Sequence, residues 1–128
     1  MNLEKIQEIV QEAIPKIEKK YGYSKFATCS PYIEYEKSIY GRLAGEDDDS
    51  NLGDQSPEAE YDRIDNSIIL YYPKMKNKKH IIQSLIHEYQ HYLQSPSWMT
   101  RYYKMGYNYG DHPYEVAALN EEKNWNKL

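Results

Sequence analysis

Leu3, Ile6, Val10, Ala13, Ile14 and Ile17 recur at helical spacing and predict an amphipathic helix over residues 2–20, kinked near Pro15 and ended by the Tyr-Gly-Tyr at 21–23. Residues 31–41 alternate Tyr32, Glu34 and Glu36 against Ile33 and Tyr35, the period of a half-exposed strand. Residues 45–60 are acidic and rich in loop formers, which predicts a long surface loop. A second strand is expected over 63–73, closed by Pro73, and a helix over 80–95 with Pro96 beyond its end. Residues 96–112 carry two glycines, many tyrosines and no clean period, so a loop or broken helix is expected there. Pro113 opens a last helix built from good helix formers. No internal repeat and no linker divides the chain. The expectation is one α+β domain over residues 1–128.

The helix over 80–95 has two faces. At about 100° per residue, Ile81, Ile82, Leu85, Ile86, Tyr89, Tyr92 and Leu93 fall on one arc, the predicted core face. His80, Ser84, His87 and His91 fall on the opposite side, with Glu88 just beyond them. His87 and His91 therefore point together from one stripe, a turn apart. Two imidazoles so placed reach one metal ion at about 2.0–2.1 Å. Glu88 then stands beside the ion, where it can take a proton from metal-bound water.

A hydrolytic zinc takes three protein ligands and leaves a position for water. An extended motif of the metzincin type requires a glycine and a histidine where this chain has Gln94 and Ser97, so that class is excluded. Glu115 is the leading third ligand: a carboxylate between Ala118 and Leu119 in projection, near a helix start, needs a partner. His112 is the rival ligand, and a capping role for Glu115 after Pro113 is the plainer alternative. For stabilising an oxyanion the chain offers Arg101, Tyr102, Tyr103, Tyr107, Tyr109 and Tyr114. Tyr107 and Tyr109, beside Gly106 and Gly110, are favoured, because the loop can reach into a cleft there.

"HEYQH" followed by a helical "PYEVAA" resembles the zincin metallopeptidases, and within them the gluzincin branch, in its minimal form called minigluzincins. The likeness covers about residues 63–120 and rests on few fixed positions. It implies His87, His91 and Glu115 as zinc ligands and Glu88 as general base and acid. It also implies an N-terminal helix on a small twisted mixed β-sheet, followed by an active-site helix and a C-terminal glutamate helix. Larger gluzincins often carry an Asp four residues after the ligand Glu to orient a zinc histidine. Here that position is Leu119, and Asp111, Asn108 and Asn120 are the candidate substitutes.

Composition narrows the function further. The net charge of −4 argues against nucleic acid, and the basic run at 74–80 reads as a solvated turn. Cys29 is alone, which excludes an internal disulfide and fits a reducing compartment. The N-terminus has no apolar signal region and no run is long enough to span a membrane, so a cytoplasmic protein is expected. Fifteen tyrosines against a single Phe suit half-buried positions and clefts. Residues 47–58 place Asp47, Asp49, Asn51 and Glu58 at the spacing of a calcium loop, yet Leu52 stands where Gly is needed, so a solvated acidic loop is preferred. The expected function is a zinc-dependent peptidase acting on a peptide or protein substrate. The alternative is a non-catalytic zinc-binding or interaction module on a zincin-like scaffold.

Overall fold

The computed structural model describes residues 1–39 and 57–128. The amphipathic N-terminal segment forms one helix, α1 (Leu3–Tyr21), which runs through Pro15. Asn2 caps its start by accepting from the Lys5 amide at 2.8 Å. Gly22 ends it with φ +77°, a conformation that favours glycine, and its amide donates to Glu18 O at 2.8 Å.

Three short strands follow: β1 (Tyr32–Glu36), β2 (Ala59–Asp62) and β3 (Ser67–Tyr71). The sheet order is β1-β3-β2, with β1 parallel and β2 antiparallel to β3. Every residue of β3 is buried, as its central place demands. The expected strand over 63–73 is thus shorter, since 63–66 form the turn between β2 and β3 and a 3₁₀ turn starts at Tyr72. The expected loop over 45–60 is also corrected at its end, where Ala59 and Glu60 belong to β2. The rest of that loop, with most of the calcium-like spacing, lies outside the described residues.

Helix α2 (Lys78–Leu93) begins at Asn77, whose side chain accepts from the His80 amide at 2.9 Å. Its apolar arc is buried as expected: Ile81, Leu85, Ile86, Tyr89 and Tyr92 are fully enclosed, and Leu93 packs partly buried against them. Ile6, Ile9, Val10, Ala13 and Ile17 of α1 and Ile68 and Leu70 of β3 complete this core. The tyrosines enter it with their hydroxyls satisfied. Tyr89 donates to Gly22 O at 2.6 Å, and Tyr92 accepts from the Ser24 amide at 3.1 Å.

Residues expected as a loop or broken helix give α3 (Pro96–Lys104), capped by Ser95 and lacking any buried residue, and then a loop to 112. Helix α4 (Pro113–Glu121) starts at Pro113 as expected and continues into a 3₁₀ turn over Glu122–Asn124. The architecture is the anticipated α+β fold, with an N-terminal helix and a small mixed sheet. No helix among the described residues is long and apolar enough to cross a membrane.

Leu85 is a direct probe of this core, because it is fully buried in the cluster that α1, α2 and β3 share. Leu85→Ala is expected to cost about 2–5 kcal/mol in a urea unfolding series. Ile64→Ser, at a turn position 96 % exposed, is expected to change the midpoint little.

Candidate metal centre

Helix α4 lies across the polar side of α2 and turns it into an interior. Ser84 and Glu88 are buried, and the side chains of His87 and His91 are each only 12 % exposed. The two imidazole rings stand 5.0 Å apart between centroids. The stripe opposite the core is therefore a second buried face, whose groups require partners.

Glu115, also buried, supplies them. Its Oε1 lies 2.6 Å from His87 Nε2 and its Oε2 lies 3.0 Å from His91 Nε2. Glu88 is a second carboxylate near this pair, and His87, Glu88 and His91 offer ligand atoms within 4.8 Å of one another. Of the two, Glu115 is the one whose oxygens each meet a ring nitrogen. The Glu88 side chain forms no hydrogen bond with the described residues.

The other ring nitrogens are held from behind. His87 Nδ1 lies 2.8 Å from Glu122 Oε2, and His91 Nδ1 lies 2.7 Å from Gln94 Oε1. With Nδ1 hydrogen-bonded to an acceptor, Nε2 is the nitrogen left to ligate, which is the usual arrangement behind a metal-binding histidine. Neighbouring donors around a tetrahedral zinc stand about 3.3–3.4 Å apart, given bonds of about 2.0–2.1 Å. The His91 contact of 3.0 Å must widen by a few tenths of an ångström to meet that requirement, and the His87 contact of 2.6 Å by about 0.7 Å. Two imidazoles and a carboxylate, with two more carboxylates at hand, are a donor set suited to a divalent cation that displaces the Nε2 protons.

Asp111, Asn108 and Asn120 do not serve as the supporting groups. Asp111 accepts from the Asn108 amide at 2.6 Å within the preceding loop, and Asn120 is exposed. Gln94 and Glu122 are the groups that stand at the two Nδ1 atoms. The sequence carried a signal for Glu122, which stands seven residues after Glu115 and so on the same side of a helix. Gln94 had none, because its position depends on where α2 stops. Arg63 was also missed. Its Nη2 donates to His91 O at 2.6 Å and Gln94 O at 3.0 Å, fastening the β2–β3 turn to the end of α2.

His112 stands apart from the cluster. It is buried as the cap of α4, its Nδ1 accepts from the Tyr114 amide at 3.1 Å, and its Nε2 faces Met99 O at 3.0 Å. Both ring nitrogens are occupied. Tyr109 reaches the centre, with its hydroxyl 3.3 Å from Glu115 Oε1. Tyr107 packs edge-on against Tyr102, 5.7 Å between centroids, and does not line the cleft. Tyr102 and Tyr114 stack with His112 and each other, and Arg101 lies over Trp98. Tyr103 lines the cleft beside Met99 and Thr100. His80 sits at the mouth, 2.9 Å from Glu58 Oε2.

Two open hollows, of 490 and 380 Å³, meet at Glu88, Tyr109 and Glu115. The first extends past His91 towards α3 and the second past His87 towards Leu119. A smaller hollow of 180 Å³ between α1, α2 and the C-terminal tail holds no histidine.

Electrostatics separates the acidic groups. Burial lifts the Glu88 carboxyl to about 7, against the opposing pull of His87 and His91. Burial also acts to raise Glu115, but hydrogen bonds from the two histidines outweigh it and hold that carboxyl well below the usual range. For His87, burial acts downward, and Glu115, Glu88 and Glu122 together raise it to about 9. His91 is raised in the same way, and burial with the nearby carboxylates lifts the Tyr109 hydroxyl to about 12.

Compared with family models, curated proteins and solved structures, the chain matches none.

The raised His87 has a sign that can be measured. Its folded value of about 9 exceeds the ordinary 6.5, so its contribution to stability is complete below about 6.5 and is lost as pH rises towards 9. In the presence of a chelator, the urea midpoint is therefore expected to fall across that window and to fall less in His87→Gln. A midpoint equally pH-dependent in both proteins counts against the coupled cluster.

Proposed function

We propose that this protein is a zinc-dependent peptidase of the zincin type, with the glutamate-ligand arrangement of the gluzincins. The observation that carries this reading is the meeting of Glu115, from a helix remote in sequence, with Nε2 of both His87 and His91, while Glu88 stays buried beside them. His87, His91 and Glu115 would hold the metal. When bound, a zinc ion supplies Lewis acidity towards a water and a substrate carbonyl.

The chain's own groups account for the proton traffic. The Glu88 carboxyl forms no hydrogen bond with the described residues and is raised to about 7, which suits a group that accepts and returns a proton near neutrality. In the proposed step it takes the proton of the attacking water as the new C–O bond forms. It then delivers that proton to the amine nitrogen as the C–N bond breaks. Tyr109 is the oxyanion donor favoured by position, and its raised pKa keeps the hydroxyl protonated.

Substrate binding is assigned to β2. β3 is central and paired on both sides, so it offers no free edge. β2 has no strand beyond it among the described residues, and Ala59, Glu60 and Tyr61 line the larger hollow. Tyr71 N donates to Glu58 O, so alternation turns the Ala59 and Tyr61 backbone groups outward. An extended peptide adding there as a further strand would pass Glu88 and the histidines. The exposed free thiol of Cys29 suits the reducing cytoplasm as the place of work.

Glu88→Gln is the decisive variant. It is expected to keep about one zinc per chain and to lose about 10²–10⁴-fold in kcat/KM on a mixed peptide library. Glu115→Ala is expected to lose the metal as well. Turnover undiminished in Glu88→Gln, or a wild-type protein that binds zinc yet cleaves no peptide, overturns the catalytic reading.

A further inference from the structure

The turn between β2 and β3 is braced from within. Asp62 Oδ1 accepts from the Ile64 amide at 2.9 Å and from the Asp65 amide at 3.3 Å. Asn66, at φ +51°, accepts from the Tyr61 hydroxyl at 2.7 Å on its Oδ1. Whatever anchors one residue of this turn therefore anchors the end of β2.

Arg63 is the residue so anchored. Its Nη2 donates to His91 O at 2.6 Å and to Gln94 O at 3.0 Å. Carbonyls at the C-terminal end of a helix lack helical partners, and that end of the dipole attracts a cation. The guanidinium also lies over the Tyr61 ring, 5.2 Å from its centre, and that ring meets Tyr92 of α2 edge-on at 6.1 Å. One cation thus ties β2 to the helix that carries the histidines, through the turn and through Tyr61. Both of its hydrogen bonds go to backbone oxygens, so this anchor is separate from the ligand set.

We propose that Arg63 is a positioning residue for substrate: it holds the outer edge of β2 in place beside Glu88 and His91, ready to receive an extended peptide. The inference deepens the peptidase reading and rests on it. Arg63, Ala59 and Tyr61 line the same hollow as Glu88 and His91. A peptide added to that edge is held by main-chain bonds, so the position of the edge is the position of the bound chain. Freed from α2, the edge becomes ordered only when a peptide binds. That ordering weakens binding and leaves the chemical step of the bound complex unchanged.

The test uses the full chain with Arg63→Met and Arg63→Lys, and one peptide chosen from those that wild type cleaves in a mixed library. Arg63→Met is expected to raise KM about tenfold, with kcat kept within about twofold and zinc content unchanged. One nitrogen makes both contacts, so a lysine ammonium can replace it, and Arg63→Lys is expected to recover most of the loss. Hydrogen exchange gives a reading without turnover. The Glu60 and Asp62 amides face β3 by the alternation of the ladder. They are expected to exchange about tenfold faster in Arg63→Met, with Leu85 in the core unchanged. A KM unchanged in Arg63→Met, a fall in kcat with KM kept, or exchange unchanged at both amides overturns the proposal. A rise in KM confined to peptides with acidic side chains assigns Arg63 to direct substrate contact and overturns it as well. Should Arg63→Met fail to fold, the same measurements on Arg63→Gln decide it. Should wild type cleave no peptide, the peptidase reading falls, while exchange still shows whether Arg63 holds the edge.

Discussion

Burial of both sides of α2 is the constraint on which the rest depends. One side is apolar and closes the core against α1 and β3. The other carries Ser84, His87, Glu88 and His91 and is covered by α4. Covering ionisable groups is costly unless each finds a partner. Glu115 meets that demand for both Nε2 atoms at once, and Glu122 and Gln94 meet it at the two Nδ1 atoms. Packing the last helix and assembling the cluster are therefore one event.

That coupling explains how a small domain holds a chemically demanding arrangement. α2 is anchored by its buried apolar residues, so His87 and His91 stand on a helix held against the core. Arg63 fastens the end of α2 to the β2–β3 turn, which sets the edge of β2 beside the cleft. Glu88 is enclosed with the pair and left without a hydrogen bond among the described residues. A group of that kind is expensive to maintain for structure alone, and the proposed proton transfer gives it a use.

The abundance of tyrosine follows from the same economy of size. Tyr89 and Tyr92 fill the core as large rings, while their hydroxyls satisfy backbone groups at the loop after α1. Tyr102 and Tyr114 wrap His112 into a cap for α4, and Tyr109 reaches over Glu115. Tyr107, a near neighbour in sequence, packs on Tyr102 and stays out of the cleft. One residue type thus serves core, cap and cleft wall.

The sequence by itself determined the elements with strong periods. α1, the two faces of α2 and the start of α4 at Pro113 were legible because apolar spacing and capping residues act locally. His87, Glu88 and His91 were legible for the same reason, since helical geometry alone places i and i+4 together. Only tertiary structure decided the rest. That Glu115 meets the pair while His112 turns away depends on how α4 docks on α2, and no local pattern encodes that angle. Gln94 and Glu122 become supports through contacts between elements, and β2 rather than β3 becomes the edge through the order of the strands. Local periodicity reports which face of an element is apolar; which remote group that face will meet is settled only when the elements pack.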